Sequence, residues 1–172
     1  MKLKATHELP LALEDNKEEQ QSLSKNTIMP FIKIWIHVVW ATKHRLPLLT
    51  KDMRQQVFKH IRENGLAKGI HVDFVNGHVD HVHCLISLNA DQTIAKVLQL
   101  LKGESSFWVN KNKLCKEHFE WQGEYFAVSV SESGINAVRE YIKNQEMHHA
   151  KKTFQEEYDE FMKKYGFELM NG

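Results

Sequence analysis

Apolar residues recur along this chain with two different periods, and the switches between them mark its elements. Residues 32–42 are rich in Ile, Val and Trp and predict a first strand. Thr50 stands as a cap before residues 51–64, where Met53, Val57 and Ile61 fall four apart and predict a helix ending near Gly65. Alternation returns over residues 70–76 and 79–88, two strands with a hairpin at Asn76-Gly77. Asp91 opens a second helix to about Lys111, with Ile94, Val97, Leu98 and Leu101 on one face. Residues 119–131, aromatic at their start, read as a fourth strand. Ser133 caps a third helix running to about Ala150, and a last helix covers residues 152–165. The order βαββαβαα predicts an α+β fold: a ferredoxin-like antiparallel sheet with helices packed on one face. Residues 1–29 carry a polar run without a helical apolar stripe and are expected to form a flexible N-terminal extension, leaving residues 30–172 as the domain.

Composition narrows the class without naming a function. The chain has 172 residues, 42% of them hydrophobic and 26% charged, as in soluble globular proteins. No run approaches the ~20 apolar residues of a membrane span, and the N-terminus lacks a basic-then-apolar leader pattern. Cys84 and Cys115 are too few and too separate for a disulfide framework, so a reducing, cytoplasmic setting is expected. A net charge of +1 means that a nucleic-acid partner must be held by a local patch. Lys43, His44 and Arg45 after the first strand, with Lys96 and Lys102 on the second helix, are the candidates for DNA phosphates. Trp108, Trp121 and Phe126 are candidates for stacking on unpaired bases, or for the core.

The chemistry begins at Asp80-His81-Val82-His83. Side chains alternate along a strand, so His81 and His83 project from one face, roughly 6.5–7 Å apart along the backbone, while Val82, Cys84, Ile86 and Leu88 point to the other. Two imidazoles on one face can bind a divalent ion if a third ligand arrives from elsewhere. On the third helix Gln145 offers an amide oxygen, and Tyr141 lies one turn away, about 5–6 Å. A phenol with a pKa near 10 is a poor nucleophile unless a cation offsets charge at its target, and that favours a phosphorus centre. Tyr, His, His and an oxygen ligand together suggest phosphodiester transesterification. His37, His60, His71, His78 and His118 read as structural or surface residues, and residues 151–164 as a solvated Lys/Glu face.

Four blocks resemble a known family. They are Trp35-Ile36-His37-Val38-Val39-Trp40-Ala41-Thr42-Lys43-His44-Arg45, Asp80-His81-Val82-His83, Trp121-Gln122-Gly123 with Tyr125–Ser131, and Tyr141-Ile142-Lys143-Asn144-Gln145 with His148-His149, followed by Phe154-Gln155-Glu156-Glu157-Tyr158. In this order the chain is similar to the HUH single-tyrosine transposases of the smallest bacterial insertion sequences and their relatives associated with repeated palindromes. The resemblance implies His81, His83 and Gln145 as metal ligands, Tyr141 as nucleophile and Mg²⁺ or Mn²⁺ as the ion. It also implies single-stranded DNA with hairpins as substrate, a 5′-phosphotyrosine intermediate, and a homodimer whose subunits share active sites. Glu124 departs from the pattern, standing between Gly123 and Tyr125 where the family often runs Gly directly into Tyr. Two other classes stay open on the residues alone: a metal-dependent phosphohydrolase that activates water, and a catalytically silent binder of hairpin nucleic acid.

Overall fold

The computed structural model describes residues 31–149 and 153–166. The extension expected over residues 1–29 lies outside the described residues, as does the expected helix end at Ala150. Strands β1 (Ile34–Ala41), β2 (His71–Gly77), β3 (His81–Leu88) and β4 (Phe126–Val130) form one antiparallel sheet in the order β2-β3-β1-β4. Helices α1 (Lys51–Ala67), α2 (Ile94–Lys111), α3 (Ile135–Lys143), α4 (Gln145–His149) and α5 (Phe154–Tyr165) complete the α+β fold. Strands β1 and β3 are the two inner strands, in register from Ile34 opposite Leu88 to Ala41 opposite His81.

One face of the sheet carries Ile36, Val38, Trp40, Val82, Cys84 and Ile86, buried against Val57 and Ile61 of α1 and Leu98 and Leu101 of α2. Each such side chain contributes about 1.5–3 kcal/mol by leaving water. These two helices fill the face expected from the sequence. The opposite face is apolar as well: Trp35, Phe74, Leu85 and Val130 meet Ile135, Val138 and Ile142 of α3. A strand buried on both sides reads as a continuous apolar run, and Val82-His83-Cys84-Leu85-Ile86 is close to one. Helices therefore lie over the histidine face too.

Local differences from the sequence expectation have identifiable causes. Strand β2 extends to Gly77, so the hairpin turn falls on His78-Val79-Asp80 rather than Asn76-Gly77, closed by the His78 amide donating to the His81 carbonyl at 3.1 Å. Gly77 pairs with Val82, and a Cβ on it would stand 2.9 Å from the Val82 Cα and press on the His81 carbonyl. The fourth strand is shorter than expected; Trp121 makes an isolated bridge to Thr42, and Gln122-Gly123-Glu124 interrupts the pairing before β4. Ser133 does not cap α3, because a 3-10 turn over Glu132–Gly134 leads into that helix. The third helix also breaks at Asn144 (φ −93°, ψ 21°), and Gln145 starts the short α4. Asn and its neighbours stop helices readily because the side chain competes for backbone partners.

Candidate active site

Helix α3 is tied to the edge strand β2 by polar contacts on top of its apolar stripe. Arg139 grips Asp73 with both Nε (2.7 Å) and Nη2 (3.0 Å), a two-pronged geometry that fixes direction as well as distance. The Asn76 amide donates to the carbonyls of Ile142 and Lys143, each at 3.0 Å, satisfying acceptors that the end of α3 leaves open. These contacts hold Tyr141 over β3, with its ring centroid 5.7 Å from that of His83 and 6.0 Å from that of His37.

His81 and His83 are buried side by side, ring centroids 5.1 Å apart, as the strand alternation predicts. Each has its Nδ1 engaged by a neighbour. The His81 Nδ1 lies 2.7 Å from Asp80 Oδ1, and the His83 Nδ1 lies 3.1 Å from His37 Nε2. With Nδ1 carrying the proton in both rings, each Nε2 presents a lone pair to the same space, the second-sphere arrangement common to metal-bound histidines. Asp80 is held in turn by Arg45 at 3.4 Å. Burial works to raise the Asp80 pKa, but the hydrogen bond from His81, with the charge and hydrogen bond of Arg45, outweighs it and holds the carboxyl below its ordinary value. His37 is pushed down to about 4 by burial and the nearby Lys164 charge, and His83 well below the usual imidazole range by burial and its histidine neighbours. Both rings are thus neutral at physiological pH.

Gln145 is fully buried. Its Nε2 donates to the Tyr141 carbonyl at 3.4 Å, and its Oε1 has no hydrogen-bond partner. The His83 Nε2 is likewise a buried atom without a hydrogen bond. Unmet donors and acceptors in a dry site are costly and fit a cation, since both offer lone pairs. Beyond the break at Asn144, the exposed His148 lies with its ring 5.0 Å from that of Tyr141, and His149 stacks on His78 at 4.7 Å.

Sequence reasoning places Glu157 in the last resembling block and assigns it no role in the site. Its helix, expected as a solvated face, instead brings Phe161 to 5.7 Å from His37 and Glu157 into the centre of the cluster. Glu157 accepts the hydrogen bond of the Tyr141 hydroxyl. Its oxygens lie 3.6 Å from His83 Nε2, 3.9 Å from His81 Nε2 and 3.0 Å from His149 Nε2. His81, His83 and Glu157 each offer one ligand atom, and these atoms lie within 4.8 Å of one another. The Thr153/Glu156 capping box that starts α5 is visible in the sequence; the inward face of Glu157 is not.

Burial, with Glu160 and Asp80 nearby, raises the Glu157 carboxyl to about 7. The folded value lies above the unfolded one, so its contribution to stability is full below about 4.5 and is lost as pH rises through 7. In chelator, Glu157→Gln is therefore expected to match wild type at ~pH 4 and to be more stable at ~pH 8, by on the order of 3 kcal/mol. Urea melts at the two pH values measure this, and a difference independent of pH contradicts it.

Three of the five expected DNA-contact residues share a groove of about 830 Å³: Lys43, His44 and Lys102, with Gln99, Trp121 and Tyr125 also on its walls. Lys43 pairs there with Glu120. Lys102 donates to the Gly123 carbonyl at 2.8 Å, and burial lowers its pKa. Arg45 turns instead to Asp80 and Gln155, and Lys96 is exposed beside Gln99. The aromatics resolve as packing: Trp108 stacks on His60, Trp121 is buried with its Nε1 on Ser105 Oγ, and Phe126 meets Tyr158 and Phe161.

A four-stranded antiparallel sheet presenting paired histidines to a helix-borne tyrosine defines the class. The family model for IS200-like transposases matches residues 31–145, and the chain belongs to that family of transposase enzymes. It is 27% identical over 115 residues to the ISDra2 transposase TnpA of Deinococcus radiodurans, covering 63% of this chain and 81% of that protein. Two solved structures share the fold. One is a crystal structure assigned as a transposase of D. radiodurans (TM-score 0.56, 24% identity, 70% of this chain and 97% of that one). The other is a REP-associated tyrosine transposase bound to a REP hairpin (TM-score 0.51, 18% identity, 73% of this chain and 74% of that one). Among the described residues, no helix is long and apolar enough to cross a membrane.

Proposed function

We propose that this transposase cuts and rejoins single-stranded DNA at hairpin-marked ends, with Tyr141 as nucleophile and a divalent ion, Mg²⁺ or Mn²⁺, held by His81, His83 and Gln145. The observation that carries the reading is the meeting, within one chain, of the Tyr141 hydroxyl and the Nε2 atoms of two imidazoles around the same Glu157 carboxylate. The ion would supply positive charge to the non-bridging phosphate oxygens. The Tyr141 oxygen forms the new bond to phosphorus, the 3′-oxygen leaves and takes up a proton, and the 5′ end stays on the enzyme. The hydrogen bond to Glu157 gives the phenolic proton an acceptor as the bond forms. Rejoining reverses the step, with the bond energy conserved in the phosphotyrosine. The hairpin held by the REP-associated neighbour supports a hairpin substrate, and the groove carrying Lys43, His44 and Lys102 is the proposed phosphate contact.

A second reading draws on Glu157, which adds a carboxylate to two histidines, a donor set that water-activating phosphohydrolases also use. One experiment separates them. Incubation with Mn²⁺ and a 5′-extended hairpin oligonucleotide is expected to give a shifted band on a denaturing gel, lost with chelator and in His83→Ala. Cleavage without any adduct favours the hydrolase; neither product overturns both.

A further inference from the structure

We propose that Glu157 is itself a ligand of the ion, so that the C-terminal helix α5 is a working wall of the metal centre. The inference rests on the proposed function for the presence of an ion there, and it adds a carboxylate that the histidine and glutamine set lacks. Ligand bonds of about 2.0–2.2 Å allow two donors on one ion to stand no more than about 4.4 Å apart. The Glu157 oxygens meet that limit against both partners, 3.6 Å from His83 Nε2 and 3.9 Å from His81 Nε2. Both imidazoles have Nδ1 already engaged, so Nε2 is the atom each turns toward Glu157. The carboxylate side chain is itself largely buried, at 11% exposure, and the family's preferred hard ions bind charged oxygen more strongly than amide oxygen. Glu157 also accepts the hydrogen bond of the Tyr141 hydroxyl, so one carboxylate ties the nucleophile and the cation together, and places α5 within the catalytic unit rather than outside it.

The test is Mn²⁺ binding to the full-length protein, followed by loss of the free-ion signal in electron paramagnetic resonance. Glu157→Gln keeps the shape and an oxygen for the Tyr141 hydroxyl but removes the charge, and is expected to weaken Mn²⁺ tenfold or more. His83→Ala should do the same, while Tyr141→Phe changes affinity by less than about twofold. Chelated melting curves in which Glu157→Gln is no less stable than wild type show that the fold is kept. Wild-type affinity in Glu157→Gln overturns the inference, whether His83→Ala loses the ion or not. Weakened binding in Glu157→Gln beside a wild type that forms no DNA adduct would uphold the ligand and remove strand transfer, so the two readings fail separately.

Discussion

Tyr141→Phe is expected to abolish the covalent DNA adduct, lowering its rate by about 10³-fold or more while leaving the fold and hairpin binding in place. The substitution removes one oxygen. The ring keeps its edge contacts with His83 and His37, and Ile142 beside it remains buried against Leu85. Water at the vacated position is not expected to restore the adduct, since attack by water leaves a free 5′-phosphate. A denaturing gel with a 3′-labelled hairpin reads the adduct, because the 3′-side fragment stays on the enzyme, and a native gel reads binding. An adduct persisting in the variant would show that another residue carries the bond, Glu157 at the Tyr141 hydroxyl or His148, whose ring centroid lies 5.0 Å from that of Tyr141.

Gly77→Ala is expected to be the most damaging small substitution in the hairpin that carries the histidines. The glycine is needed for space: a methyl there meets the backbone of β3 at His81 and Val82. A side-chain clash can be relieved by a rotamer change, but this one moves a strand. The cost is about 3 kcal/mol, the upper part of the overpacking range, or roughly 6–12 °C in melting temperature for a chain of this size. The displaced residue is His81, so Mn²⁺ affinity should fall together with stability. Circular dichroism melts and the Mn²⁺ titration measure the pair, and a variant that melts with wild type contradicts the close approach.

Much of this architecture was legible in the residues because its signals are local. Alternation located the second and third strands, Ile, Val and Trp density the first and aromatics the fourth, though over a longer range than β4, and the His81/His83 spacing put two imidazoles on one face without any knowledge of the fold. The i, i+4 relation of Tyr141 and Gln145 survived even though the helix does not: the break at Asn144 falls inside an amphipathic run whose periodicity continues across it. Gly123 signalled the interruption before β4, yet the aromatic density around it favoured one long strand. What the chain could not disclose was pairing at a distance. Glu157 sits among Lys and Glu residues on a helix with a conspicuous polar face, and only the docking of Phe161 near His37 reveals which carboxylate turns inward. His37 was legible as structural, but not as the residue that holds the Nδ1 side of His83. The basic residues divide for a similar reason. A run of three after β1 reads as one patch, whereas the 3-10 turn over Lys43–Arg45 sends Lys43 and His44 to the groove and Arg45 to Asp80.

The mooring of α3 to β2 through Arg139 and Asn76 bears on how many molecules the reaction centre needs. Phenol, imidazoles, amide and carboxylate meet here on one polypeptide, and a centre built this way is expected to hold Mn²⁺ equally well on dilution, whereas one assembled across a two-fold axis would lose it.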